Sequence, residues 1–175
     1  MAEIFKTYQH TPPHLFRPNA IYMLTGSILR QEPLIQSAER KQEWREALFK
    51  AAELYHWQVL AWVILDNHYH SLVESPENAL SLEKLIASYH KFTARLWNEA
   101  DHTPGRQVWW NYWATCVRSE GDFDSRLTYI FWNPVKHGLA ESAETYPYSS
   151  YPEYLKQVGS YDFTGWNEVS DVPEF

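Results

Sequence analysis

The stretch Trp57–Leu65 constrains the fold more than any other part of the chain. It is almost continuously apolar over the length of one strand, the pattern of a central strand covered on both faces. Asp66-Asn67 then supplies a turn, and His68–Glu74 alternates as a returning antiparallel strand does. A chain built around this hairpin needs apolar cover for both of its faces.

The flanking segments offer that cover. Ala20–Leu29 is a further strand between turn-formers, after a lead carrying His10, Pro12, Pro13, His14 and Pro18. Trp44, Leu48, Ala51, Ala52 and Tyr55 recur at helical spacing within 37–55, with charged residues on the remaining surface. Leu82, Leu85, Ile86, Tyr89, Phe92 and Leu96 give a second helical stripe ending near Asn98. Val108–Arg118 is an aromatic strand. Asp122 or a neighbour caps a third helix bearing Phe123, Leu127, Ile130 and Phe131, which Pro134 and Gly138 disturb and end. The order βαββαβα implies an α+β, ferredoxin-like fold: one antiparallel sheet with helices packed on one face, and an additional C-terminal helix. The 175 residues suit a single domain with its core at about 14–154 and an acidic tail at 155–175, and the Tyr-, Pro- and Ser-rich segment from Tyr146 onward is expected to hold little regular structure.

The chain carries a net charge of −7, which taken alone opposes a phosphate-rich partner. Its distribution weakens that objection. Residues 141–175 hold seven acids against Lys156 alone, leaving fifteen acids and fourteen bases in the remainder, so the body is near neutral. The longest apolar run is too short to cross a bilayer, the opening residues carry no secretory signal pattern, and the single cysteine, Cys116, builds neither a disulfide framework nor a thiolate metal site. Together these point to the cytoplasm.

His68 and His70, two apart in a strand, project to the same face, with Tyr69 on the other. Two imidazoles can hold one metal ion and leave positions open for water and substrate, as catalysis requires. On spacing alone, two partly exposed edge histidines that bind nothing are the better reading. Context adds weight. Asn67-His68-Tyr69-His70-Ser71-Leu72-Val73 follows the apolar strand, Tyr129-Ile130 precedes Asn133-Pro134-Val135-Lys136-His137-Gly138-Leu139, and Tyr146-Pro147-Tyr148-Ser149-Ser150-Tyr151 comes later. With Lys91-Phe92-Thr93-Ala94-Arg95 and Asn98, these motifs resemble the REP-associated tyrosine transposases, relatives of the single-tyrosine HUH transposases, over about residues 14–154. One position departs: Asp66 stands where members of that family often have proline.

The resemblance implies that Tyr129, on the helix after the last strand, attacks single-stranded DNA next to repeated palindromic hairpins and forms a 5′-phosphotyrosine. It also implies a divalent metal, Mg²⁺ or Mn²⁺, at His68 and His70. An ordinary phenol, with a pKa of about 10, needs a nearby cation or base for this task. Asn133 lies one helical turn from Tyr129 and matches an amide that assists the metal in related transposases; as a cap for the turn at Pro134 it would serve only structure, and the residues leave both roles open. Tyr89 is the strongest competitor for the nucleophile, although its stripe favours the core. Lys91, Arg95, Arg118, Arg126 and Lys136 are candidate DNA-backbone contacts, and Trp109, Trp110, Tyr112 and Trp113 include candidates for stacking unpaired bases. His137 is expected to act as a helix-terminal cap. A catalytically idle hairpin-binding protein is the alternative function, and a monomer or homodimer the expected assembly.

Overall fold

Alternation and helical periodicity translate directly into the elements of the computed structural model, which describes residues 4–8, 11–164, 169, 172 and 173, with side chains from Arg17 onward. The chain runs β1 (Ile4–Tyr8), β2 (Thr11–Phe16), β3 (Ile21–Ile28), α1 (Ala38–Tyr55), β4 (Gln58–Ile64), β5 (His68–Glu74), α2 (Leu82–Ala100), β6 (Trp109–Cys116), α3 (Glu120–Lys136) and α4 (Tyr151–Val158). The main sheet has the order β4-β5-β3-β6 and is antiparallel throughout. This is the ferredoxin-like arrangement expected of two strand-helix-strand halves.

Strands β3 and β5, at the middle of the main sheet, bury both faces. On one face Tyr22, Leu24, Trp62, Ile64, Tyr69 and Val73 meet the apolar stripes of α1 and α2. On the other, Met23, Ala61, Val63 and Leu72 meet Leu127, Tyr129, Ile130 and Phe131 of α3. The first two helices therefore share a face, and the tyrosine-bearing helix lies on the opposite one. Trp44 is fully buried at the centre of the α1/α2 layer, its ring 4.8 Å from Tyr69 and 6.2 Å from Trp62. Gly26 is the position where this packing is tightest. A Cβ there would lie 2.4 Å from the Tyr69 ring, and that ring is held by hydrogen bonds between its hydroxyl and the Tyr89 hydroxyl (2.6 Å) and His90 Nε2 (2.9 Å). Gly26→Ala is expected to lower stability by about 1–3 kcal/mol, measured by denaturant unfolding. An unchanged midpoint would show that the ring yields freely.

Three readings of the sequence need correction. The apolar strand β4 is not central: it forms a sheet edge and is covered on both faces by helices, while residues 148–150 cover its open side. There Ile64 N–H donates to the Tyr148 carbonyl and Ser150 N–H to the Trp62 carbonyl. Pro134 sits inside α3 and Gly138 ends it, as the sequence implies. The helix runs on to Lys136 and closes at Gly138 (φ 69°), where Gly138 N–H donates to the Val135 carbonyl and Leu139 N–H to the Pro134 carbonyl. The N-terminal lead forms a two-stranded hairpin whose prolines sit in β2, a place that tolerates them because no central ladder is interrupted. The tail is also more regular than expected, since α4 begins after Ser150 with proline in its first turn. His10, Glu168, Asp171 and Glu174 lie outside the described residues.

Candidate active site

The turn after β4 and the first residues of β5 place His68 and His70 on the α3 face of the sheet. Both are buried, with ring centroids 5.1 Å apart. Their outer nitrogens are oriented by neighbours. His70 Nδ1 lies 2.7 Å from Thr25 Oγ1, on the adjacent strand. His68 Nδ1 lies 2.6 Å from Asn67 Oδ1, and that amide is fixed because its nitrogen donates to the Gln31 carbonyl at 3.1 Å. An amide oxygen only accepts, so His68 Nδ1 carries the proton and its Nε2 keeps the lone pair.

Burial, then the nearby His137, lowers the His68 pKa to about 3, with Asn133 opposing the shift and Lys136 adding to it. Burial likewise drives His70 well below the ordinary histidine value, followed by His68, His137 and Lys136. Both rings are therefore neutral at pH 7, the state a metal ligand requires.

Helix α3 brings the second half of the site. Ser119 caps its start by accepting from the Asp122 N–H at 3.1 Å, and the helical repeat then aims Tyr129 and Asn133 toward the sheet. The Tyr129 ring is buried, edge-on to His70 with centroids 5.1 Å apart, and the Lys136 ammonium sits over it at 5.0 Å. His137, at the helix end, packs its ring 4.9 Å from His68. It is thus both the cap expected and a wall of the site, a contact that no local pattern announced.

Asn133 is fully buried inside α3 and caps no turn. It lies close enough to His68 to favour the protonated ring, yet neither its amide oxygen nor its nitrogen reaches hydrogen-bond geometry with a protein partner. His70 Nε2 is likewise buried without a partner. Orphaned polar atoms are costly, about 1–3 kcal/mol each, so three of them on two residues that both neighbour His68 call for a ligand. Among the described residues no group of three or more His, Cys, Asp or Glu side chains is arranged to hold a metal, which leaves two imidazoles and an amide as the available donor set.

The departure at Asp66 has a structural reason. Its carboxylate pairs at 2.5 Å with the buried Lys41 ammonium from α1, which also donates to the Ile35 carbonyl at 2.8 Å. The pair pins the turn that precedes His68.

The five candidate DNA contacts separate. Lys136 is at the site. Arg118 is exposed at the mouth of α3, with its guanidinium 3.4 Å from Asp122. Lys91 and Arg95 are exposed on α2, in the layer on the other side of the sheet, and are not brought to the histidines. Arg126 is a correction: it is fully buried, held by Asp122 at 2.8 Å and Thr115 at 2.7 Å, and offers no surface to a phosphate. Among the stacking candidates, Trp109 is core, stacked on His90 with centroids 4.3 Å apart, whereas Trp110 is exposed. Tyr89 is fully buried in the other layer, which removes it as a rival to Tyr129.

Burial also lowers the His90 pKa to about 3. A histidine held neutral in the fold but free to protonate near 6.5 when unfolded supports the fold fully above that pH. The support is lost as pH falls toward 3, because the unfolded chain binds the extra proton. Stability is therefore expected to decline from about pH 6.5 downward, by up to about 1.4 kcal/mol per pH unit for each of His68, His70 and His90. His90 keeps one edge toward solvent, which holds its share below that limit. Chemical denaturation at several pH values checks this; His90→Gln should flatten the slope, and an identical slope would exclude His90 as a contributor.

Comparison with known proteins agrees with this arrangement. The family model described as "Transposase IS200 like" matches residues 22–130. A protein of Haemophilus influenzae named as a REP-associated tyrosine transposase is 30% identical over 150 residues, covering 81% of this chain and 85% of the relative. The REP-associated tyrosine transposase of Escherichia coli K12 is 26% identical over 136 residues, covering 74% of this chain and 75% of its own. Among solved structures, a REP-associated tyrosine transposase bound to a REP hairpin shares the fold with a TM-score of 0.67 at 22% identity, covering 97% of this chain and 94% of that one. With a family model spanning more than half of its 175 residues, the chain belongs to the IS200-like transposases and is an enzyme of that family.

Proposed function

We propose that the enzyme nicks and rejoins single-stranded DNA beside repeated palindromic hairpins, through a 5′-phosphotyrosine at Tyr129. The observation that carries this reading is the packing of Tyr129 against His70, and of His70 and Asn133 beside His68, with His70 Nε2 and both Asn133 amide atoms buried and lacking protein partners. His68 Nε2, His70 Nε2 and Asn133 Oδ1 would hold a divalent cation, Mg²⁺ or Mn²⁺, and their neutral state suits it. Such an ion, when bound, polarises the scissile phosphate as a Lewis acid.

The remaining chemistry belongs to the chain. The Tyr129 oxygen bonds to phosphorus, the P–O3′ bond breaks, and the proton given up by the phenol is balanced by one taken up at the released 3′ oxygen. Lys136, over the ring, offsets the negative charge that develops as this proceeds. The linkage conserves the phosphodiester, so the 3′-hydroxyl of a second strand reverses the step and joins. Arg118 and Lys136 serve the strand near the site, and Lys91 and Arg95 serve a more distant part of the DNA.

A relative whose structure contains a REP hairpin supports the hairpin as the landmark. Coverage of the β4 edge by residues 148–150 supports a monomer, because it removes one sheet edge as a docking strand. The DNA substrate and a lone cysteine support a cytoplasmic location; no described helix is long and apolar enough to cross a membrane.

The test is incubation with labelled single-stranded DNA carrying the host's repeated palindromes, with and without Mn²⁺. A denaturant-resistant protein-DNA adduct that forms only with the metal is expected. Tight hairpin binding with no adduct under any metal would replace this reading with that of an idle binder.

A further inference from the structure

We infer that a cavity of about 590 Å³ beside the histidine pair is a pocket for one unpaired nucleobase of the DNA strand, stacked on Trp110. The inference rests on single-stranded DNA being the substrate. The cavity lies between the end of β3, the turn Leu29–Gln31 and the start of β6, and its walls include Ser27, Arg30, Gln31, Gln107, Trp110 and Trp113. Its volume is within the range of about 300–1,000 Å³ usual for ligand pockets.

Strand register ties this cavity to the candidate active site. Ser27 pairs with His68 across β3 and β5, and Thr25, which contacts His70, pairs with Trp113 across β3 and β6. Residues directly opposite in neighbouring strands share a face, so Trp113 and His70 flank Thr25 on the same side of the sheet. The register of β6 shifts by one residue here: Tyr112 lies opposite Gly26, but Trp109 lies opposite Ile28. That extra residue is a bulge, and it lets Trp110 and Trp113 line one wall while Trp109 stays in the core. Bulges re-aim side chains next to active sites. A second link runs through Asn67, whose amide joins the Gln31 carbonyl to His68 Nδ1.

The lining suits a base rather than a metal or an apolar ligand. Trp110 is 59% exposed, the most solvent-open tryptophan among the described residues, and its flat ring is a surface on which an unpaired base can stack. Gln31 and Gln107 are exposed amides that can both donate to and accept from a base edge, and Arg30 is an exposed cation with no ion pair among the described residues. Arg30 and Gln31 both hold φ of 57°, two consecutive non-glycine residues in the left-handed region. Such backbone strain is sustained where a loop is held for a ligand. Helix α3 leans on β4 and β5, so it leaves this end of the β3/β6 face accessible to a strand leaving the scissile phosphate.

The test uses labelled single-stranded oligonucleotides of about twenty residues, carrying 2-aminopurine at one position at a time, against wild type, Trp110→Ala and Trp110→Phe. Wild type should quench the probe at one position near the nick. Trp110→Ala should abolish that quenching and weaken binding about tenfold, the scale of losing one aromatic stack, whereas Trp110→Phe should retain most of both. Matched thermal unfolding should accompany this, because the side chain is exposed. Wild-type adduct formation at Tyr129 with equal binding and quenching by Trp110→Ala would overturn the pocket and leave the nicking reading standing. Failure of wild type to bind any single strand would overturn both.

Discussion

Tyr129→Phe is expected to remove the covalent protein-DNA adduct entirely and to lower strand cleavage by about 10⁴-fold or more, the scale on which losing a nucleophile acts. The substitution deletes one oxygen. The buried ring keeps its edge-on contact with His70 and its place under the Lys136 ammonium, so packing is conserved and the unfolding midpoint should move little. Hairpin binding should persist, because Lys136, Arg118, Lys91 and Arg95, the groups proposed to contact the DNA, are all retained. Lys136→Met makes the complementary case: it retains the nucleophile but removes the cation over the ring, and should slow adduct formation without abolishing it. Denaturing gels with end-labelled DNA read both. Normal adduct yield from Tyr129→Phe would defeat the assignment.

The elements that follow a single period were legible in the sequence. Strand alternation placed His68 and His70 on one face, and the helical stripe gave α3 its buried side, where Tyr129 packs in the same cluster as Leu127, Ile130 and Phe131. What escaped depends on long-range partners. Arg126 reads as a solvated charge until Asp122, Thr115 and Met23 are seen around it, since only the packed fold supplies the acceptors that let a guanidinium be buried. Likewise β4 looks central because it is apolar on both faces; its edge position follows from pairing with β5 alone. Residues 148–150, far along the chain, cover the open side of that edge. Asp66 gave no sign of Lys41, and His137 none of His68, because neither pair is close in sequence.

The sharpest separation between a catalytic cluster and an ordinary core comes from removing the donors one at a time. His70→Ala should abolish the response to Mn²⁺ and reduce nicking by about 10³-fold, corresponding to the several kcal/mol that a Lewis acid contributes. It should also destabilise the fold, because the partner of Thr25 Oγ1 is lost. Asn133→Leu should behave differently. Both amide atoms are buried without protein partners, so exchanging them for a similar apolar volume removes a penalty, and the metal-free protein should become more stable by about 1 kcal/mol. The same change should weaken metal binding at least tenfold, seen as a smaller rise of Tm with added Mn²⁺. Stability and metal response then move in opposite directions, which is the mark of a residue kept for a ligand at the expense of the fold. A destabilised Asn133→Leu with an unaltered Mn²⁺ shift would instead make Asn133 a structural residue and leave the histidine pair without its amide.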